Sequence, residues 1–493
     1  MGFQDLPTEI LYQIFELFCQ HCAEKHLATP RHDTWHTVQE IKVSRRCLIN
    51  LSVTCTRWGH VAQNVLHHHF GFLETTYEQH IGFCRTISQN QELGQQLRVA
   101  KLRRIATFLN ATLVENWITE PLTKYSEFIS YPGSVFDMDF LTWEDYIAPL
   151  ILLQTPNLEH ADIHGYFDWA LFSDFNIRNV VQARALPRNL KTLSVGRQTK
   201  MRYSEPEPVV QICDAKNIMT IVFSAFEHLQ MLTVSNPHIH LLFTPPPFQN
   251  LRSLRLFNAH IREQDKLQIL IDAAISLEEF VFWEKDQIEI APLGRLTPRG
   301  VFEALTSRKE TLKRVVLRMN ATPVPFQDSR ELVHPTHLAD LSQLTNLEEL
   351  RMNMGMLCNG PELSRRHLML SDKALIGVFP PSLRTLCIDI AVLEFSCFGS
   401  ALRAYAMSTC NEQPDQQRLE QLIVHTTSVM PGSHEWLNTV APSERCLKAM
   451  RDVMAGEWEE NSQLIVTQEQ LQWHSCTERG TKSILPAFSG LDS

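Results

Sequence analysis

Cys19 and Cys22 are separated by two residues, one of them His21, and His26 follows shortly after. Thiolate and imidazole in that pattern are zinc chemistry, because four such donors complete a tetrahedral shell around one ion. Two features weigh against it. The pair falls where the first helix of the chain should end, and no second cysteine pair follows at finger spacing. No metal site is therefore expected. His67, His68 and His69 read as a polar helix end. His434-Glu435 opens like a zincin helix but has Asn438 where the second ligand would stand. No Gly-x-Ser-x-Gly elbow, phosphate loop or dinucleotide fingerprint occurs. The residues with reactive chemistry thus predict a protein that is not an enzyme and carries no cofactor.

Binding chemistry is more evident. A phrase, Leu-x-x-Leu-x-Leu with aliphatic substitutions, begins at Leu158, Leu190, Leu229, Leu251, Leu277, Leu312, Leu347, Leu383 and Leu419, and "LRVAKL" at Leu97 is a divergent copy. From Leu277 onward the starts are about 35 residues apart, the signature of stacked units. The last three residues of each phrase alternate in and out as a short strand. Between phrases lie helical segments, such as Pro298 onward with Val301, Phe302 and Leu305 as its inward stripe. A strand-helix unit cannot bury its own apolar face, and stacking builds one continuous core. This resembles the leucine-rich repeat family in a degenerate form. That resemblance implies an open strand face presenting Arg255, Phe257, Val281, Trp283, Arg318 and Arg351, with Val316 and Asn353 in the same rows. Arg and Trp are enriched where partners bind, and guanidinium groups pair with acidic or phosphorylated segments. These six residues are the expected substrate site.

The front of the chain has a different logic. In "LPTEILYQIF", Pro7 fits a first helical turn, Glu9 complements the positive helix start, and Ile10, Leu11, Ile14 and Phe15 follow at helical spacing. A second stretch, "LSVTCTRWGHVAQNVL", carries Leu51, Trp58, Val61 and Val65. Together they resemble the F-box, whose pattern has Leu-Pro-x-Glu-Ile-Leu-x-x-Ile-Phe and later Leu-Ser-x-Thr-Cys-x-x-Trp. Here an inserted loop near 20–46 separates the halves, and the middle helix is expected near Ser44 with Cys47, Leu48 and Leu51. The resemblance implies docking onto a Skp-type adaptor, and through it a cullin scaffold, by Leu6, Pro7, Ile10, Leu11, Ile14, Leu51 and Trp58. A unit this small buries little by itself, so exposed apolar residues want a partner.

The expected fold is α/β: an N-terminal three-helix F-box-like motif followed by an irregular leucine-rich-repeat solenoid of strand-helix repeats. The expected domains are the motif at 1–70, a mostly helical linker or first divergent repeat at 71–148, the solenoid at 149–430, and a C-terminal cap and tail at 431–493. The combination resembles the divergent F-box proteins of filamentous fungi. It implies a non-catalytic substrate-recognition subunit of a Skp-cullin-F-box type ubiquitin ligase that captures a protein substrate; the alternative is a leucine-rich-repeat binding scaffold with no ubiquitin role. Net charge is −10 over 493 residues with a pI near 6.1, which argues against a nucleic-acid partner. No apolar run is long enough to span a bilayer. Twelve cysteines without framework spacing and no evident secretory signal predict reduced thiols in the cytoplasm or nucleus.

Overall fold

The computed structural model describes residues 6–19, 21–22, 38–71, 77–103, 120, 123–128, 143–164, 185–196, 210–211, 225–235, 237–238, 247–259, 261, 264–284, 296, 298–319, 341–353, 378–391, 419, 421–427 and 463–468. They fall into two compact units. One runs up to Gln230 without the segment at Val210, and the other holds that segment and the chain from Met231.

The first unit opens with α1 (Thr8–Glu16). The Pro7 carbonyl accepts the backbone N–H groups of Ile10 and Leu11, so the proline ring sits where a missing donor does no harm. Leu11 and Phe15, one turn apart, are buried. They pack with Leu48 of α2 (Val38–Ser52) and with Val61, Ala62 and Val65 of α3 (Thr56–Leu66) into one apolar cluster. The middle helix carries Cys47, Leu48 and Leu51 as expected, but it starts at Val38, not near Ser44. Gln39, Glu40 and Lys42 read as loop by polarity, yet all three are good helix formers. Arg57 of α3 donates to the Leu6 carbonyl and to Thr8 Oγ1, and Asn64 Nδ2 donates to the Tyr12 hydroxyl, so α1 is pinned along α3. A Cβ at Gly59 would lie 2.7 Å from the Ser52 carbonyl oxygen, which is why glycine follows Trp58 there.

Beyond α3 the chain enters a parallel sheet. Strands β1 (His69–Phe70), β2 (Val99–Arg103), β3 (His160–His164) and β4 (Thr192–Gly196) lie side by side in chain order. Helices α4 (Tyr77–Gln89), α5 (Gln91–Gln96) and α6 (Trp143–Gln154) fall between them in sequence. Gly71 has φ +83°, and a Cβ on it would overlap the Lys101 carbonyl, so the turn leaving β1 requires glycine.

The second unit repeats the arrangement. It includes a small pair, β5 (Val210–Gln211) with β7 (Pro237–His238). Its main strands are β6 (Met231–Ser235), β8 (Ser253–Ala259), β9 (Glu279–Glu284), β10 (Arg314–Arg318), β11 (Glu349–Asn353), β12 (Thr385–Ala391), β13 (Gln421–Thr427) and β14 (Gln463–Gln468). Each is parallel to the next. Helices α7 (Gln264–Ala273) and α8 (Pro298–Leu305) intervene, and Val301, Phe302 and Leu305 are buried as their spacing requires.

All nine phrases become strands, and every opening leucine from Leu158 to Leu419 is buried. From Leu158 to Leu383 so are the apolar residues three and five places on, for example Leu254 and Leu256, Phe280 and Phe282, and Leu350 and Met352. One backbone joint recurs in each unit: the carbonyl just before a strand accepts two N–H groups from the next rung. Arg98 and Val99 donate to His68, Glu159 and His160 to Arg98, and Lys191 and Thr192 to Glu159. Likewise Glu278 and Glu279 donate to Arg252, Lys313 and Arg314 to Glu278, Glu348 and Glu349 to Lys313, and Arg384 and Thr385 to Glu348. The fold is therefore a repeating α/β fold of parallel strands. Strand β2 falls on the divergent copy at Leu97, inside the stretch expected to be a mostly helical linker or first divergent repeat, and β14 lies inside the stretch expected to be a cap and tail. His434 and Asn438 lie outside the described residues.

Candidate functional site

On β8 to β12 the residues that alternate with the buried leucines line the opposite face of the sheet. The register sets Arg255, Val281, Val316, Arg351 and Cys387 in one row, and Trp283, Arg318, Asn353 and Asp389 in another. The six residues expected to bind substrate do share this face. They do not share a role. Arg255 is nearly buried and grips Glu279 through Nε at 3.0 Å and Nη2 at 2.9 Å. Glu279 also receives Arg314 Nη1 at 3.0 Å and a hydrogen bond from the Ser253 hydroxyl. Arg314 in turn lies 3.0 Å from Glu349. Burial alone would raise the Glu279 carboxyl, but Arg255, the Ser253 hydroxyl and Arg314 together hold it below the ordinary range. Arg351 pairs with Asp389 at 3.2 Å.

Arg255 and Arg351, expected to receive an anionic segment, each already hold a carboxylate of the chain. Val281, in the same row, is buried between flanking rungs. Asn353 has a structural task, donating to the Met319 carbonyl at 2.7 Å and accepting its N–H at 3.0 Å. What remains half-open is a cluster at the C-terminal ends of β8 to β10. Phe257 meets the Trp283 ring edge-on at 4.9 Å, and the Arg318 guanidinium lies 5.8 Å from the Trp283 ring centre. An aromatic pair with a cation over it suits a partner that offers apolar and acidic groups together.

Signals for the ionic ladder were present in the sequence. The second residues of successive phrases run Arg252, Glu278, Lys313, Glu348, Arg384, and the third residues include Glu279, Arg314 and Glu349. Opposite signs alternate once the phrases are laid in parallel register, which no single phrase reveals.

The front helices hold the second surface. Leu11, expected to touch an adaptor, is fully buried in the helices' own cluster and belongs to the core. Trp58 leans edge-on against Phe15 at 6.0 Å, and Leu6, Ile14 and Leu51 are half-buried against the same cluster. Pro7 and Ile10 are exposed. Sequence reasoning missed four others. Leu17 is 60% exposed and Val53 80%, and Val43 and Ile49 are also open. Of the seven large apolar side chains that stand exposed among the described residues, Ile10, Val43 and Ile49 lie in these helices, and Leu17 and Val53 directly follow the ends of α1 and α2. Their signal was an apolar residue outside the core stripe of its own helix.

Cys19 and Cys22 stay next to His21 after α1, and the fold brings His68 to them from the end of α3. The second pair absent at finger spacing is thus partly supplied through space. No helix among the described residues is long and apolar enough to cross a membrane.

No family model and no curated protein sequence matches the chain. Among solved structures, a chain of the yeast Rad7 and Elc1 complex is similar over 73% of this chain and 98% of its own, at 11% identity and a TM-score of 0.28. A likeness that low supports neither a fold nor a role.

Proposed function

We propose that this chain is a non-catalytic substrate-recognition subunit of a Skp-cullin-F-box type ubiquitin ligase, acting in the cytoplasm or nucleus. The front helices would dock a Skp-type adaptor and through it a cullin. The strand repeats, read as degenerate leucine-rich repeats, would hold a protein substrate at Phe257, Trp283 and Arg318. The observation that supports this reading is the exposed apolar set Ile10, Leu17, Val43, Ile49 and Val53, on or directly after helices that already possess a filled core of their own. A helix group with no partner has no use for such surface. The revised docking set keeps Leu6, Pro7, Ile10, Ile14, Leu51 and Trp58 and gives up Leu11.

A scaffold with no ubiquitin role remains the second reading, with the front helices serving as the lid of the strand stack. It is favoured by the direct passage from α3 into β1 and by the approach of His21 to Glu159 at 3.6 Å.

Titration of a purified Skp-type adaptor into the full chain separates the two. The ligase reading expects micromolar binding or tighter, weakened about tenfold or more by Leu6→Ala with Pro7→Ala and by Ile49→Glu. No binding by the wild-type chain leaves the scaffold. In the same preparation Trp283→Ala with Arg318→Ala should leave adaptor affinity unchanged while abolishing substrate capture.

A further inference from the structure

The first unit contains a buried knot of metal-ligating side chains. Cys19, His21 and Cys22 follow α1, and His68 stands between α3 and β1. They are only 4%, 5%, 5% and 6% exposed. One donor atom from each falls within 4.8 Å of all the others. Cys22 Sγ lies 3.3 Å from His68 Nδ1 and 3.6 Å from His21 Nδ1. Around tetrahedral zinc, with Zn–S near 2.3 Å and Zn–N near 2.0 Å, sulfur and nitrogen ligands stand about 3.6 Å apart. The two sulfur-nitrogen distances from Cys22 lie close to that value, and the other donor pairs fall within 4.8 Å.

The surroundings agree. With Nδ1 of His21 turned to the sulfur, its Nε2 faces the Glu159 carboxylate at 3.6 Å. Zinc-bound imidazoles commonly donate their other ring N–H to a carboxylate, which fixes the tautomer. Glu159 is anchored in its turn by Lys191 Nζ at 2.6 Å. Cys19 and Cys22 are also members of the apolar cluster of the front helices. Two thiols and two imidazoles buried at such a place are costly as bare polar groups. Two thiolates, two neutral imidazoles and one divalent cation sum to zero charge, which an apolar core accepts.

We propose that Cys19, His21, Cys22 and His68 hold a structural Zn²⁺ ion. Four protein ligands leave no open position, so the ion is a clamp and not a catalyst. It fastens the end of the first helix to the entry of the strand stack and closes a loop of 46 residues between Cys22 and His68, where a cross-link restrains the unfolded chain effectively. The site is independent of the ligase reading, since a scaffold would hold the ion equally.

The test is metal analysis of the full chain, purified without chelator, beside Cys22→Ser, His68→Ala and the control Cys47→Ser. The expected result is one zinc per chain in wild type and control, and about tenfold less in the two ligand variants. Cobalt(II) exchanged into the wild type should give thiolate-to-cobalt charge transfer and tetrahedral visible bands. Stripping the ion with a chelator should lower the wild-type melting temperature, a readout that does not depend on either variant folding. A wild-type chain that copurifies with under about a tenth of an equivalent of zinc and shows no cobalt-thiolate band overturns the assignment. So does zinc retained in full by Cys22→Ser with the cobalt spectrum unchanged.

Discussion

Glu279 accepts from Arg255, Arg314 and Ser253 at once, so its carboxylate joins two neighbouring rungs of the sheet. Its side chain is 13% exposed, deep enough for the loss of one partner to leave charge stranded. Glu279→Gln should lower stability by about 2–3 kcal/mol in urea unfolding at pH 7. The pH dependence has a definite sign. The folded carboxyl titrates below the ordinary range, so its stabilisation is present in full above the unfolded pKa. It fades as pH falls below about 4.5 through the depressed folded value. The wild type should thus lose unfolding free energy on acidification in that window, and the variant should lose less. Equal acid slopes in the two proteins would deny the ladder its weight. At this scale the sequence was partly legible. Trp283, Arg318 and Phe257 do meet one another on the strand face, and the alternation of the phrase already placed them on one side. Arg255 and Arg351 misled because an arginine on a strand face looks the same whether a carboxylate of the next rung holds it or not.

Gly59 shows how closely α2 and α3 approach, and the consequence belongs to the elements. Gly59→Ala would set a methyl 2.7 Å from the Ser52 carbonyl oxygen, a backbone atom that cannot swing aside. The helices must separate, at about 1–3 kcal/mol. Amide hydrogen exchange should show faster opening of 38–66, with the exchange of β8 to β12 unchanged. Helix existence was readable here, while the start of α2 was not, because polar helix formers look like loop when their apolar partners are few. Strand existence was more readable still, since a period of two closed by a leucine has few other uses. β1 and β14 escaped because His67 and Asn461 stand where the phrase places its opening leucine. The meeting of His68 with Cys22 escaped for another reason. It joins positions 46 residues apart, and no periodicity speaks across such a gap.

For the molecule, the repeats of the second unit form a chain of like neighbours, and stability should be local to each join. Leu251→Ala and Leu383→Ala, both in fully or nearly fully buried sites, should each cost about 3 kcal/mol. Combined, they should add to within about 0.5 kcal/mol, since they share no contact. Leu277→Ala with Leu312→Ala, on adjacent rungs, should depart from additivity in the same urea titrations. The carbonyl that receives two N–H groups at the foot of seven strands, from His68 to Glu348, has a wider consequence. That splice is peptide to peptide, indifferent to the identity of the side chains around it. Insertions between rungs, and drift in the outward residues, can accumulate over descent without breaking the frame. An ancestral design could in this way be overwritten almost letter by letter while its strands continued to find one another.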